Sequence, residues 1–394
     1  MKVEMDMQVG YYRFPKDNYK TRRLNAICYD YYGMELVCFG PEDVDINNNI
    51  VRGKVLINGS WKEKIVPVPK IINNSPFKTK KTLNVYNHLE KNSYMMFKKY
   101  GDKKLIDTLL RKDGTYQHLL IPTKELVSFT DLMSEIERFG EIVLKPTNSS
   151  QGRGLYTIKK KKSNRYTVRN DMFKKTLELF EVEKFYIDNL RKRKYLVQKC
   201  INSRTEANQP FDVRVQFEKN SLGKWVEAQK YVRIGQANQL VSNISKGGSV
   251  IRWSSFTNSY FSEKKRLLYR KKLKEIVDGL PEKIEELFNA NITSLAFDFG
   301  LDEQFYLFEV NFFPGGTFAR GEIAMLRASY TKYLLENNMQ ARLITSNDYK
   351  SLYESLLEER NHYQREYNAI KNSKSWKITK PLRKVSNIIN NIVK

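Results

Sequence analysis

Apolar and polar positions alternate, or recur at helical spacing, along most of this chain. Met34 to Phe39 is a strand-like run closed by Gly40-Pro41, with Leu24 to Cys28 leading into it. Asn49 to Ile57 alternates as a second strand, Asn58-Gly59 is a hairpin turn, and Trp61 to Val68 is the return strand. Pro67 and Pro69 put the end of that strand at a sheet edge or in a loop. From Leu83 to Arg111 the period becomes helical, with Asp102 as a cap for Lys103 to Leu110. Thr130 and Asp131 start another helix, with Leu132, Ile136 and Phe139 on one face. Glu141 to Pro146 reads as a strand with Lys145 at its exit, followed by a small-residue loop from Asn148 to Leu155. Tyr156 to Ile158 and Tyr166 to Val168 flank a basic hairpin, and a helix is expected over Met172 to Asn189. Strands follow at Tyr195 to Ile201, Phe211 to Phe217 and Trp225 to Ile234. Glu263 to Phe288 forms one or two surface helices broken at Gly279-Leu280-Pro281. Leu295 to Phe299 and Phe305 to Val310 are strands around a turn, and the last ~60 residues are helical and polar by the same reading.

Composition narrows the picture. At roughly 150 residues per domain, 394 residues make two or three domains, and 41% hydrophobic residues exclude wholesale disorder. The net charge of +25 points to polyanions: nucleotides, nucleic acid, an anionic surface or an acidic polymer. Cys28, Cys38 and Cys200 make no disulfide framework or Cys-x-x-Cys pair, and fit free thiols in a reducing compartment. No run approaches the ~18 apolar residues of a membrane span, and Met1 to Gly10 lacks a signal-type apolar stretch. A soluble cytoplasmic protein is expected. His88, His118 and His362 are far apart, which argues against zinc chemistry and a Ser-His-Asp triad.

Three segments carry candidate chemistry. Glu309 and Asn311 are two apart on a strand and share a face. If the hairpin turn centres between Glu303 and Gln304, Asp298 lies opposite Glu309. Two carboxylates and an amide oxygen make a hard-oxygen site suited to magnesium. The plainer alternative is a solvated acidic edge, which the apolar flanks Ala296-Phe297, Leu307-Phe308 and Phe312-Phe313 oppose. The loop Ser149-Ser150-Gln151-Gly152-Arg153-Gly154 is either a phosphate cradle or an ordinary turn, since it matches neither the P-loop nor the dinucleotide fingerprint. Asp212 and Arg214 share a strand face, and Arg233 ends the next strand. Inter-strand salt bridging and recognition of phosphate or carboxylate are both open to them. Asn243 to Gly248 is a further polar, glycine-bearing loop.

The order of these parts resembles the ATP-grasp superfamily, and more closely its YheC/YheD-like group, known from spore-forming bacteria. The residues that carry the resemblance are Phe211-Asp212-Val213-Arg214-Val215, Tyr231-Val232-Arg233-Ile234-Gly235 and Val241-Ser242-Asn243-Ile244-Ser245-Lys246-Gly247-Gly248. Pro41 to Asp45, Val51-Arg52-Gly53 and Pro67-Val68-Pro69 fit in the same order, so that the resemblance covers roughly residues 20 to 335. It implies an α+β protein: an N-terminal α/β domain over 1–95, an ATP-grasp domain over 96–335, and a helical, basic tail over 336–394. Within the ATP-grasp domain, 96–200 would hold the nucleotide lid and first subdomain, and 201–335 the second subdomain with the metal site.

By match to the pattern, Lys103 and Lys145 would contact the α- and β-phosphates, with Lys104 a rival to Lys103. Gln198, Lys199 and Ile201 would line the adenine pocket, and Ser149 to Gly154 would close over the triphosphate. Asp298, Glu309 and Asn311 would hold Mg2+, as two ions, or Mn2+. Arg214 and Arg233 would neutralise the γ-phosphate and an acyl-phosphate, with Asn243 and Gly247-Gly248 beside them. The implied activity is an ATP-dependent carboxylate–amine ligase that forms an amide on a small or polymer-linked substrate, such as a cell-envelope precursor. The alternatives are a phosphotransferase on the same fold and a non-catalytic assembly protein for anionic polymer. Nucleic acid is not favoured, because no reading module is present. Phe312-Phe313-Pro314-Gly315-Gly316 is more aromatic than the plain Asn-x-x-Pro-Gly exit, which bears on the acceptor side.

The tail adds an apolar face of Val385, Ile388, Ile389, Ile392 and Val393 after Pro381, with seven basic and no acidic residues from Lys371 to Lys394. A basic amphipathic helix suits an anionic membrane surface at the inner face, or packing on the body or a second protomer. Its Ser373 to Arg383 stretch is similar to tails of bacterial surface-polysaccharide glycosyltransferases.

Overall fold

The computed structural model describes residues 7–14, 18–101, 103–147, 154–240, 242, 247–337 and 365. The chain forms two compact units, Met1–Met339 and Gln340–Lys394, and the architecture below is that of the first. The expected tail helix lies outside the described residues.

The first of three sheets has seven strands: β1 (Gln8–Tyr12), β2 (Glu35–Phe39), β3 (Val44–Asp45), β4 (Ile50–Ile57), β5 (Ser60–Pro67), β6 (Ile71–Asn74) and β7 (Tyr94–Met95). Helix α1 (Tyr19–Tyr31) crosses from β1 to the parallel β2, and α2 (Leu83–Asn92) precedes β7. The Asn58-Gly59 expectation holds: Ile57 pairs with Ser60, and both turn residues have positive φ, 49° and 76°. β5 pairs only with β4, at the edge to which Pro67 confines it. The helix expected over Leu83 to Arg111 is interrupted, because Tyr94–Met95 adds to β6 as a parallel edge strand. β1 carries no long alternating run and is set by its central position, with Val9, Tyr11 and Tyr12 buried.

Helix α3 (Lys103–Asp113) leads to the second sheet: β8 (Thr123–Glu125), β9 (Glu141–Pro146), β10 (Tyr156–Lys160), β11 (Tyr166–Arg169), β12 (Lys174–Leu177) and β13 (Tyr195–Lys199), in the order β12-β11-β10-β9-β13-β8. Helix α4 (Phe129–Phe139) begins one residue before the expected start, because Ser128 accepts from the Asp131 backbone N–H at 3.1 Å. Leu132 and Ile136 of α4 pack with Ile142, Leu144, Ile158 and Val168 in the core under this sheet. The helix expected from Met172 is corrected. Lys174–Leu177 extends instead and pairs with β11, and only Leu179–Phe185 (α5) and the wider turn Tyr186–Leu190 are helical. Helix propensity in Lys-Lys-Thr-Leu yields there to an available sheet edge.

The third sheet has the order β16-β15-β14-β17-β18, from β14 (Phe211–Lys219), β15 (Trp225–Ile234), β16 (Ser249–Arg252), β17 (Ser294–Leu301) and β18 (Phe305–Asn311). Helices α6 (Trp253–Tyr260), α7 (Glu263–Val277) and α8 (Leu280–Phe288) lie between β16 and β17 in the chain, and the break at Gly279 is as expected. α9 (Arg320–Glu336), which no sequence periodicity announced, joins the third sheet to the first. Ala324 and Ala328 sit in the core with Val9, Ala26 and Tyr29, while Arg327 reaches Glu218 of β14 at 2.8 Å.

Candidate functional site

On β14, Asp212, Arg214, Gln216 and Glu218 alternate with Val213, Val215 and Phe217. Period two sends the polar four to one face and the apolar three to the other. The neighbours extend the polar face. Asp212 is in register with Arg233 of β15, and Arg214 with Tyr231 of β15 and Asp298 of β17. Asp298 is in register with Glu309 of β18, and Ala296 with Asn311.

The Asp298–Glu309 pairing arises differently from the expectation. Leu301 pairs with Phe305, so the hairpin centres on Glu303 and a regular ladder would set Phe308 against Asp298. The register shifts between Asp298 and Phe299, which leaves Phe308 as the extra residue and brings Glu309 opposite Asp298. Gly300 makes room for this bulge, since a Cβ at that position would overlap the Phe308 ring.

Asp298, 2% exposed, is the hub. Arg214 grips it with two bonds, Nε to Oδ1 and Nη2 to Oδ2, both 2.6 Å. Arg233 Nη2 lies 2.8 Å from Oδ2 while its Nε donates to Asp212 Oδ1 at 2.6 Å. Asn311 Nδ2 lies 3.4 Å from Asp298 Oδ2, and Ser242 donates to Asp212 Oδ2. Burial works to raise the Asp298 pKa but is outweighed, because Arg214 and Arg233 hold its carboxyl below the usual range. Asp212 goes the other way. Burial pushes it up to about 6, with Arg233 pulling down and the Asp298 charge adding to the rise. Each arginine leaves Nη1 without a hydrogen bond among the described residues.

Glu309 and Asn311 lie on the same face as Asp298, whose two carboxylate oxygens are taken by Arg214 and Arg233. Among the described residues no group of three His, Cys, Asp or Glu could hold a metal by itself, so a cation there would depend on the amide and on its ligand's oxygens.

The second sheet carries the other candidate residues. Lys145 pairs with Leu196 and Val143 with Gln198, so Lys145 and Gln198 share a face of that sheet. Gln198 Nε2 donates to Thr123 at 2.7 Å, and its Oε1 is buried with no hydrogen-bond partner. Lys199 falls on the alternate face, where Nζ lies 3.4 Å from the Tyr306 hydroxyl. Ile201 is half-buried in the connection between β13 and β14. Gly154 has φ +72° and a Cβ there would stand 3.0 Å from Pro146 Cγ, while its carbonyl accepts from Tyr195 at 3.3 Å. Ser149, Ser150, Gln151, Gly152, Arg153 and Asn243 lie outside the described residues, as do the side chains of Lys103 and Lys104.

Several contributors escaped the sequence reading. Gln229 Oε1 accepts from three successive backbone N–H groups, Thr317, Phe318 and Ala319, at 3.3, 3.1 and 3.4 Å, while its Nε2 donates to Gln216 Oε1 at 2.6 Å. Phe312 packs on Tyr100 and Phe288, and Phe313 on Phe77 and Phe97. The exit loop after Asn311 is thereby held at both ends. The alternation Asp212-x-Arg214-x-Gln216-x-Glu218 was the available signal. A cavity of about 560 Å³ lined by Phe217, Trp225, Trp253 and Val277 lies toward the opposite face of the sheet.

The second and third sheets, with arginine–carboxylate pairs across β14, β15 and β17, are those of a protein of the ATP-grasp class. The chain belongs to the YheC/D-like ATP-grasp family, whose model matches residues 77–336. It is 24% identical over 293 residues to the endospore coat-associated protein YheD of Bacillus subtilis, covering 70% of this chain and 64% of that protein. It thus spans less than two thirds of YheD's length. To YheC of the same organism it is 23% identical over 301 residues, covering 72% of this chain and 82% of YheC. Among solved structures, D-cycloserine synthetase DcsG is similar with a TM-score of 0.45 at 11% identity over 83% of this chain and 99% of that one. Macrocyclase MdnC of Microcystis aeruginosa, bound with precursor peptide MdnA, is similar with a TM-score of 0.43 at 12% identity over 84% and 99%. Among the described residues, no helix is long and apolar enough to cross a membrane.

Proposed function

We propose that this chain is an ATP- and magnesium-dependent carboxylate–amine ligase that works through an acyl-phosphate. The observation that carries the reading is the single row Glu309, Asp298, Arg214, with Arg233 bridging Asp298 to Asp212. A substrate carboxylate oxygen attacks the γ-phosphorus and the bond to the β–γ bridging oxygen breaks, releasing ADP. An amine then attacks the acyl carbon, phosphate leaves, and the amine proton passes to solvent. Such chemistry needs charge neutralisation and alignment more than a nucleophilic side chain.

Arg214 and Arg233 direct their Nη1 donors at the transferring phosphoryl group and at the acyl-phosphate, with Asn243 beside them. Their bonds to Asp298 and Asp212 hold both guanidinium planes in place beforehand. Magnesium, held by Asp298, Glu309 and Asn311, would supply positive charge at the phosphate oxygens. Lys145 and Lys103 neutralise the α- and β-phosphates, and the Ser149 to Gly154 loop covers them. Gln198, with its orphaned Oε1, Lys199 and Ile201 bound the base; that buried acceptor suits an exocyclic amine such as adenine's. The substrates are a carboxylate and an amine, one of them linked to an envelope or surface polymer.

Hydroxylamine tests this reading, because it captures an acyl-phosphate as a hydroxamate. ADP release that requires a carboxylate, together with a hydroxamate product, supports the ligase. ADP release without hydroxamate makes the protein a phosphotransferase. Failure to bind Mg-AMPPNP at millimolar concentration removes the catalytic reading altogether.

A further inference from the structure

The polar row does not stop at Arg214. Register pairs carry it through Tyr231 of β15 to Arg252 of β16, the edge strand. Side-chain contacts agree that Arg252 lies on the site's face. Its guanidinium carbon is 5.8 Å from the centroid of the Phe318 ring. Phe318 in turn meets Tyr231 edge-on at 5.8 Å, and Thr317 donates to the Tyr231 hydroxyl at 3.0 Å. Arg214 and Arg233 are committed to carboxylates, whereas Arg252 is exposed and makes no ion pair among the described residues. Phe318 is 42% exposed, although Gln229 fixes its backbone.

An exposed basic residue on an edge strand can simply deter edge pairing. That role asks nothing of the neighbouring ring and would be served on either face. Here the cation sits in line with the reacting row, beside a supported aromatic side chain that water still reaches. β16 is two strands from β14, about 10 Å between backbones. Arg252 is therefore too far for the metal-bound phosphates, but within reach of another part of a molecule whose carboxylate lies at Arg214. A guanidinium fork is suited to carboxylate or phosphate oxygens.

We propose that Arg252 and Phe318 form a specificity subsite for a second anionic group on the carboxylate substrate. The acid that is activated would then be a dianion, with an apolar or planar portion lying against Phe318. This inference rests on the ligase reading of the same row.

The test uses the full chain with Mg-ATP and hydroxylamine, and glutarate, adipate, suberate, O-phosphoserine and hexanoate as probes. At least one dianion is expected to give a hydroxamate with KM about tenfold or more below that of hexanoate, as a charge-assisted hydrogen bond would provide. The dicarboxylate series and O-phosphoserine distinguish a carboxylate from a phosphate as the second anion. Arg252→Gln should collapse the dianion preference and Arg252→Lys should restore part of it, while Mg-AMPPNP binding keeps its wild-type affinity. Equal or absent use of the dianions and hexanoate, or an unchanged preference in Arg252→Gln, overturns the subsite while leaving the nucleotide reading standing. Loss of Mg-AMPPNP binding in the wild type is the separate result that removes both.

Discussion

At Asp298 one carboxylate serves two guanidinium groups and lies beside an amide, and the site's behaviour follows from that crowding. Asp298→Asn removes the shared anion from two arginines whose side chains are each 15% exposed. It should cost about 3–5 kcal/mol in urea unfolding and abolish ADP release. Glu309→Gln is expected to lower ADP release at least ~100-fold and to weaken its Mg2+ dependence. Asp212 makes the pH prediction. Its folded pKa of about 6 lies above the ordinary 3.8, so between these values the folded state holds more protons than the unfolded chain. The contribution is fully present below pH 4 and lost as pH rises through 6, by up to about 3 kcal/mol. In metal-free buffer, wild type minus Asp212→Asn stability should therefore fall from pH 4 to 7. Parallel profiles would show that the Asp212 carboxyl is not raised.

The β17–β18 hairpin shows how an element creates a site. Alternation announced both strands, and an assumed turn position brought Asp298 opposite Glu309. The turn in fact centres one half-residue earlier, and the bulge at Phe308 restores the pairing. Bulges depend on what fills the neighbouring space, here a Phe308 ring over Gly300, and not on a local periodicity. Gly300→Val should destabilise the fold by about 1–3 kcal/mol and depress ADP release beyond what stability explains, because Glu309 loses its register. If activity per folded molecule is unchanged, the bulge does not set the site. β12 teaches the converse lesson: Lys174–Leu177 has helix-forming composition, yet pairs with β11.

Across the whole molecule, α9 ties the first sheet to the third. Arg327 meets the fully buried Glu218, and Thr331 meets Tyr29 of α1 at 3.0 Å. Arg327→Ala strands a buried carboxylate and should cost about 3–5 kcal/mol in urea unfolding. The end of β11 and the loop after it also touch the loop after β15: Arg169 donates to the Asn238 carbonyl, and Asp171 accepts from Leu240 N–H at 3.2 Å. A ligand that binds the folded chain stabilises it by mass action. At a hundredfold its Kd, Mg-AMPPNP should add about 2.7 kcal/mol, visible as a rise in Tm that EDTA reduces. An EDTA-insensitive rise would argue against a metal at Asp298 and Glu309. The charge of +25 is consistent with anionic ligands at this site, though few of the 69 basic residues belong to it.

The sequence by itself determined the alternating runs, the Asn58-Gly59 turn, the break at Gly279 and the order of the family's motifs. These depend on local backbone preference and on side-chain period, which neighbouring residues settle among themselves. Only the tertiary structure decided that β17 lies beside β14, which brings Arg214 and Asp298 together across 84 residues of chain. It alone extended the row to Arg252 and gave α9 its two partners. Pairing between strands so distant in sequence is chosen by which faces can be buried together, and that choice is made by the assembled core.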